Sequence, residues 1–252
     1  MEAEGQMRDS GNPTAAVLVI GDEILSGRTQ DVNINTIARF LGERGIDLKE
    51  ARIVPDDMEA IVEALNPLRA RHDHVFTTGG IGPTHDDITA DAVAAAFGVP
   101  ISHHPEAVRI LRAYFREMGR EEREARMRMA RIPEGAELIP NPVSRAPGFR
   151  IGNVFVLPGV PRIMAAMLHE LQEHLVTGTP VRSLNVEAHV PEGDLGDPLR
   201  RLAAEHPEVT IGSYPFREGG NLGARIVIRS RNAEALEAAA AEIRTLITKL
   251  TV

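Results

Sequence analysis

Apolar and polar residues alternate along the chain in a pattern that predicts strands and helices in turn. A continuous apolar run that ends in glycine, typical of a strand buried on both faces, lies at 15–21, and further predicted strands lie at 48–54, 74–78 and 154–157. Segments with apolar residues at helical spacing lie between or after them, at 35–44, 61–68, 92–97, 106–131 and 162–174. This alternation predicts a doubly wound α/β fold with a parallel sheet.

The composition changes in the segment 176–180, where we place a domain boundary. Beyond it, the pattern predicts strands at 184–190, 209–213 and 224–229, a loop at 214–223, and helices at 195–205 and 233–250. The first residues are polar and contain Gly5, Gly11 and Pro13, which predicts a disordered tail. The predicted organisation is therefore a tail at 1–13, an α/β domain at 14–177 and a small α+β domain at 180–252.

Composition and charge exclude several classes of protein. The chain has no cysteine, which excludes disulfides, thiolate metal sites and cysteine nucleophiles. A formal net charge of −8 and the absence of tryptophan argue against a nucleic-acid partner. No stretch reaches the roughly 18 apolar residues of a membrane span, and the N-terminus does not resemble a signal peptide. We therefore expect a cytoplasmic protein that binds a small molecule and neither nucleic acid nor a membrane.

The segment TTGGIGPTHDDIT at 77–89 combines three glycines with two adjacent acids and a histidine, and it is the most informative segment of the chain. It joins a predicted buried strand to a predicted helix, which is where open α/β sheets bind ligands. Gly79, Gly80 and Gly82 let the backbone approach a ligand closely, and the amide groups before a helix favour phosphate. The flanking residues Thr78, Pro83 and Thr84 belong to the same predicted binding loop. For the glycines alone, a tight strand-to-helix turn is the alternative.

Two adjacent acids follow these glycines and change the interpretation. Asp86 and Asp87 would repel a bound phosphate unless a divalent cation lay between them, and hard cations bind carboxylates together with substrate phosphates. We therefore predict Asp86 and Asp87 as ligands of Mg²⁺, Mn²⁺ or Co²⁺, and Asp87 as a catalytic residue. The alternative for Asp87 is the N-cap of the following helix, a role compatible with chemistry.

Polar residues also end the other predicted strands. Asp56, in VPDD, follows the second strand and is predicted to be catalytic, because parallel strands place their carboxyl ends on one edge. Helix capping and a polar helix start are the alternatives for these acids and asparagines. The further predicted substrate-binding residues lie in the loops after the first strand, before APGF and in LPGVP: Gly21, Glu23, Asp31, Asn33, Arg145, Pro158 and Gly159.

The motifs GDEILSG, VPDD, TTGGIGPTHDD, APGF and LPGVP together resemble the CinA-type members of the MoaB/Mog molybdopterin-binding superfamily. The resemblance covers residues 15–175 by motif, and VTIGSYP at 209–215 is similar to the small second domain of CinA-type proteins. It implies a three-layer α/β/α Mog-like fold and a nucleotide or pterin phosphate site lined by the three glycines. It also implies that Asp56 and Asp87 are the functional acids. We further expect a homo-oligomer, a dimer or a trimer.

CinA-type resemblance implies a nucleotide pyrophosphatase that acts on ADP-ribose or related dinucleotides such as FAD. Mog-type members adenylylate molybdopterin, so molybdopterin binding or adenylyl transfer is the second hypothesis. A non-catalytic pterin- or nucleotide-binding module is the third. The nicotinamide-nucleotide amidase domain of CinA has no counterpart in the sequence, so amidase activity is not assigned. The stretch RMRMAR at 126–131 departs from the Asn/Gln-rich segment of the family and leaves the identity of the substrate open. Arginines in the run 123–131 could hold a diphosphate, but the mixed charges favour a solvated face paired with Glu121, Glu122 and Glu124.

Overall fold

The computed structural model describes residues 11–218 and 221–250, so most of the predicted tail at 1–13 lies outside the described residues. The strands within these ranges are β1 (Thr14–Ile20), β2 (Asp47–Val54), β3 (His74–Thr78), β4 (Ile101–His103), β5 (Arg131–Pro133), β6 (Glu137–Ile139), β7 (Gly148–Ile151), β8 (Val154–Leu157), β9 (Arg182–Ala188), β10 (Thr210–Glu218) and β11 (Asn221–Ser230). The α-helices are α1 (Asp22–Leu25), α2 (Asn33–Gly42), α3 (Met58–Arg71), α4 (Thr89–Phe97), α5 (Pro105–Glu117), α6 (Glu124–Met127), α7 (Pro161–Leu168), α8 (Glu192–Glu205) and α9 (Ala233–Leu250). Short 3-10 helices span Arg128–Ala130 and His169–His174. None of the described helices combines the length and the apolar character that a bilayer crossing needs.

A six-stranded sheet in the order β2-β1-β3-β8-β7-β6 forms the centre of the first unit, which ends at Gly178. The pairs β1·β2, β1·β3 and β3·β8 are parallel, whereas β7 runs antiparallel to both of its neighbours. This mixed but mainly parallel sheet confirms the predicted α/β class.

Helices cover both faces of this sheet because β1 is apolar on both of its sides. Leu18 and Ile20 pack with Ile61 of α3, whereas Val17 and Val19 pack on the opposite face with Ile37 of α2. The helix after β1 therefore lies on one face and the helix after β2 on the other, which confirms the three-layer α/β/α arrangement.

The long helix predicted at 106–131 is wrong, because α5 ends at Glu117. Gly119 adopts a left-handed φ of 61° and the amide of Arg120 donates to the carbonyl of Phe115, which is a Schellman-type helix end. The chain then forms α6, a 3-10 turn and β5, which pairs with β4. The predicted helix at 162–174 likewise becomes a 3-10 helix after Leu168.

The second unit begins at Thr179 and contains a three-stranded antiparallel sheet in the order β10-β11-β9. The helices α8 and α9 supply Leu199, Leu236 and Ile243 to a core that includes Ile226 and Ile228 of the sheet. The loop predicted at 214–223 is wrong, because β10 and β11 continue as a paired hairpin to Glu218 and Asn221. This small α+β unit confirms the predicted class of the C-terminal region.

Candidate functional site

Four parallel strands end side by side at one edge of the central sheet. The backbone amide of Gly21, after β1, donates to the carbonyl of Val54 in β2, at 3.1 Å. The amide of Gly79, after β3, donates to the carbonyl of Leu157 in β8, also at 3.1 Å. Strand β2 lies on one side of β1, and the chain then crosses over so that β3 lies on the other side. This edge is therefore a topological switch point of the sheet. Ligands of open α/β sheets bind at this position.

The loop after β3, which we call the glycine loop (residues 79–87), needs its glycines for steric reasons. Gly79 has a φ of +105°, and a Cβ atom on it would overlap the Ile20 carbonyl oxygen. Gly80 has a φ of +64°, and its Cβ would overlap the Thr89 hydroxyl. The predicted neighbour Thr78 is buried, whereas Pro83 and Thr84 are exposed. These two glycines therefore let the loop pack directly against the end of β1 and the start of α4.

Asp87 shapes this loop from within. Its Oδ1 accepts from the Gly82 amide and its Oδ2 from the Thr84 amide, both at 2.7 Å, and Oδ2 also accepts from the Thr84 hydroxyl. The N-cap of α4 is instead Ile88, and no side chain caps that helix, so the capping alternative for Asp87 is wrong. The loop is thus folded around the Asp87 carboxylate, and both oxygens of that carboxylate accept hydrogen bonds from the loop.

The curled loop presents two backbone donors. The amide groups of Gly80 and Ile81 form no hydrogen bond within the described parts of the chain. The carbonyl of Gly80 accepts from the amide of Thr89, the first residue of α4, which fixes the loop against the helix N-terminus. Successive free amides next to a helix N-terminus form a binding place for anions.

Asp56, after β2, is the half-buried acid of the site. Its Oδ2 accepts from the Asp22 amide at 3.0 Å, and its Oδ1 lies 3.5 Å from the position that a Gly80 Cβ would take. Burial raises the pKa of Asp56, and the carboxylates of Glu23, Asp22 and Asp86 raise it further, while the Asp22 amide opposes them. The structure therefore places Asp56 and the glycine loop next to each other.

Helix capping belongs to the next residue. Asp57 is the N-cap of α3, and its Oδ1 accepts from the Ala60 amide at 2.9 Å. The capping alternative is thus confirmed for Asp57 and leaves Asp56 free of that role.

Asp86 is exposed beside the glycine loop. The nearby Thr84 hydroxyl is the main cause that lowers the pKa of Asp86, so this carboxylate is ionised near neutral pH. The neighbouring His85 is exposed, with its Nδ1 3.9 Å from Asp86 Oδ1. This part of the site carries full negative charge.

The loops after β1 and β8 are held together by Asn33. Its Nδ2 donates to the Gly159 carbonyl at 2.8 Å, and its buried Oδ1 has no partner within the described residues. A Cβ on Gly159 would lie 3.3 Å from the Cα of Gly79, so the Pro158–Gly159 turn abuts the glycine loop. Asp31 accepts from the Ile34 amide at 3.0 Å, which fixes the start of α2.

The side chain of Arg145 forms no hydrogen bond or ion pair within the part of the chain that the structure describes. Arg145 has a left-handed φ of 63°, in a turn that Asn141 stabilises by accepting from the amides of Val143 and Ser144. Pro147, two residues later, lines a cavity of about 20 Å³ together with Gly80 and Asp87. A non-glycine residue with a positive φ is uncommon, and here it sits on a loop that borders the site.

Two residues that support the glycine loop were not among the predicted site residues. The Thr89 hydroxyl, fully buried, donates to the Gly79 carbonyl at 2.9 Å and so holds the glycine loop from below. Arg128 Nη2 contacts the Asp87 carbonyl oxygen at 3.4 Å. The threonine that closes the TTGGIGPTHDDIT motif was a visible signal for the first. The arginine run at 123–131 was the signal for the second, although pairing with neighbouring glutamates was the favoured interpretation.

The donor set tests whether a divalent cation fits this edge. Within residues 11–218 and 221–250, no group of three or more His, Asp or Glu side chains is arranged to hold a metal ion. The carboxylates of Asp56 and Asp86 interact electrostatically and offer oxygen alone. A hard cation such as Mg²⁺ binds through one or two carboxylates plus substrate phosphates and water. The residues therefore fit such a cation only together with a bound phosphate.

Comparison with known proteins places this site in a family. Residues 16–177 match the family model described as a probable molybdopterin binding domain. Residues 180–252 match the model described as the middle domain of FAD synthase.

Individual relatives agree with these matches. A CinA-like protein of Citrifermentans bemidjiense is 45% identical over 167 residues, which cover 65% of this chain and 40% of that protein. A probable FAD synthase of Caenorhabditis elegans is 33% identical over 258 residues, which cover 93% of this chain and 50% of that protein. The solved structure of the protein CinA from Thermoplasma acidophilum is similar with a TM-score of 0.60 and 32% identity, covering 65% of this chain and 98% of that chain. The chain thus spans half or less of the length of these two sequence relatives.

Proposed function

The chain belongs to the CinA-type group of the MoaB/Mog family of molybdopterin-binding domains, and from this premise we propose that it hydrolyses the diphosphate of a dinucleotide such as ADP-ribose or FAD. The family matches support a nucleotide- or molybdopterin-related function in general. The observation that carries the finer proposal is the pair of unpartnered amides at Gly80 and Ile81 beside the acid Asp56.

The glycine loop is proposed to bind one phosphate of the substrate. The amides of Gly80 and Ile81 would donate to its oxygens, and the N-terminus of α4 would add the favourable end of a helix dipole. Asp87 contributes by holding Gly82 and Thr84, so that the two free amides keep one orientation. It is therefore proposed to act by positioning, rather than as the metal ligand that the sequence predicted.

Asp56 is proposed as the group that orients and deprotonates the attacking water. Burial and neighbouring carboxylates raise its pKa, which makes it a better base than an exposed aspartate. Water would attack one phosphorus, the bond from that phosphorus to the bridging oxygen would break, and the second phosphate would leave with that oxygen. For ADP-ribose the products are AMP and ribose 5-phosphate.

A divalent cation is proposed as the cofactor, held by Asp86 with the substrate phosphates. When bound, it would offset the negative charge of the diphosphate and of Asp22, Glu23 and Asp86, and lower the pKa of water. All side-chain donors are oxygens, which favours Mg²⁺ or Mn²⁺, whereas the imidazole of His85 would favour Co²⁺.

The second candidate is molybdopterin binding with adenylyl transfer, favoured by the match of residues 16–177 to a probable molybdopterin-binding domain. The same anion site would then hold a pterin phosphate. The two functions differ in their products, because adenylyl transfer consumes ATP and forms an AMP–molybdopterin adduct.

The test is a comparison of substrates with the purified full chain. ADP-ribose and FAD are incubated with Mg²⁺, Mn²⁺ or Co²⁺ or with excess chelator, and ATP with molybdopterin in parallel, and AMP and AMP adducts are quantified. The proposal expects metal-dependent AMP from a dinucleotide, lost in Asp56→Asn and kept in Asp57→Asn, the neighbouring helix cap. Adduct formation without dinucleotide cleavage would support the second candidate, and binding without either product would leave a binding module.

A further inference from the structure

A larger cavity lies beside the glycine loop and has no part in the proposed chemical step. Its volume is about 510 Å³, which lies within the range of pockets that hold small organic ligands. Pro83 and His85 of the glycine loop line it, as do His103, Glu124, Ala125 and Arg128.

Both walls of this cavity, which we call the side cavity, connect to the phosphate-binding loop. Pro83 and His85 directly follow the glycines, and Arg128 reaches the carbonyl oxygen of Asp87 with its Nη2. A molecule with one phosphate on the amides of Gly80 and Ile81 therefore has the side cavity as its neighbour.

The cation in this cavity is incompletely paired. Arg131, also on its lining, forms a two-pronged ion pair with Asp91, at 2.6 and 3.0 Å. Arg128 lies 3.9 Å from the same Asp91, and its buried Nε has no hydrogen-bond partner within the described residues. Because Arg131 already occupies Asp91, Arg128 is the guanidinium that can turn towards a second anion.

The remaining polar residues suit the sugar end of a nucleotide. The side chain of Glu124 is exposed and forms no hydrogen bond or ion pair in the described parts of the chain, so its carboxylate oxygens can accept from ribose hydroxyls. His85 and His103 add two exposed imidazole rings with both donor and acceptor capacity. Acceptor and cation together fit a phosphorylated sugar better than a simple anion.

We propose that the side cavity binds the second half of a dinucleotide diphosphate, with Arg128 on the second phosphate and Glu124 on the ribose. This inference rests on the proposed function for its substrate class. The side cavity would distinguish a dinucleotide from a mononucleotide, because a mononucleotide would occupy only the glycine loop.

The test blocks the cavity without touching the glycine loop. Ala125→Trp places a large ring into the side cavity, and Ala113→Trp, on the exposed face of α5, is the matched control. Binding of AMP and of the α,β-methylene analogue of ADP-ribose, which has no hydrolysable bridging oxygen, is measured by calorimetry with Mg²⁺ present, and the melting temperature checks folding. We expect wild type and Ala113→Trp to bind the ADP-ribose analogue about tenfold or more tightly than AMP, and Ala125→Trp to lose this preference.

Arg128→Gln provides a second variant and should lower the affinity for the ADP-ribose analogue more than that for AMP. The inference is overturned if Ala125→Trp binds the ADP-ribose analogue like wild type, if wild type shows no preference for it, or if both ligands weaken equally. A wild-type protein that shows the preference but cleaves no dinucleotide would refute the proposed hydrolysis and keep the side cavity as a binding site.

Discussion

Replacing Asp87 by Asn should open the glycine loop while leaving the rest of the fold intact. The wild-type carboxylate accepts from two backbone amides and one hydroxyl, so both of its oxygens act as acceptors. An asparagine side chain has the same shape but one oxygen only, and its NH₂ group would face an N–H donor. The bond to Gly82 can persist, whereas the NH₂ group cannot accept from either Thr84 donor, so two bonds are lost.

The expected size of the effect follows from the bonds lost. Each net hydrogen bond contributes about 0.5–1.5 kcal/mol, so two lost bonds cost the loop about 1–3 kcal/mol of ordering free energy. If the ordered loop is the form that binds phosphate, kcat/KM falls roughly 5- to 150-fold. Asp57→Asn is the matched control, because Asn caps a helix about as well as Asp and should leave both quantities unchanged.

Two measurements check this reasoning independently. Hydrogen exchange of the Gly82 and Thr84 amides should accelerate in Asp87→Asn and stay slow in Asp57→Asn, and kcat/KM for ADP-ribose should fall in the first variant alone. Unchanged exchange at both amides would refute the structural role of Asp87. Faster exchange with full kcat/KM would show that the order of this loop does not matter for the reaction.

Three further predictions concern stability and the two units. Gly79→Ala should lower the free energy of unfolding in urea by roughly 2–4 kcal/mol, because its Cβ would overlap the Ile20 carbonyl oxygen. Gly27→Ala, also at positive φ but with open space around it, should lower it by only about 1–2 kcal/mol. Equal losses in the two variants would contradict the close approach at Gly79. Burial and neighbouring carboxylates raise the pKa of Asp56 above 3.8, so the folded chain binds this proton more tightly than the unfolded chain. Wild type should therefore lose stability relative to Asp56→Asn as pH rises from about 4 to 7. A stability difference that does not change with pH would contradict this sign. A chain shortened to end at Gly178 should fold and keep its kcat/KM, because every residue of the proposed site lies in the first unit; a folded but inactive fragment would show that the second unit completes the site.

The sheet could be predicted because its strands carry strong local signals. The segments that became β1 and β8 consist almost entirely of apolar residues, and such strands are buried by helices on both faces. The segment around 106–131 failed because helical spacing continues past Gly119, whose left-handed φ ends α5. The hairpin of β10 and β11 failed because its glycines read as a loop, whereas cross-strand pairing extends both strands.

The sequence could predict which residues lie near one another in the site, but not the contacts that they form. The convergence of Asp56 with the glycine loop follows from parallel strand order, which the pattern indicated. The bonds of Asp87 to Gly82 and Thr84 depend on how the loop curls, and no spacing rule distinguishes this from a helix cap. Tertiary placement likewise decides that Arg128 faces Asp87 while Arg123 pairs with Glu121. The expected homo-oligomer and the cytoplasmic location stay predictions.

The most direct test of the proposed hydrolysis follows the oxygen of the attacking water. ADP-ribose is incubated with the full chain and Mn²⁺ in ¹⁸O-labelled water, and the phosphates of AMP and ribose 5-phosphate are analysed by mass spectrometry. The account predicts one ¹⁸O atom in one of the two products per cleavage, at a rate that Asp56→Asn reduces about 100-fold or more. Formation of AMP at the same rate in Asp56→Asn, or no cleavage with any of the divalent cations, would contradict it.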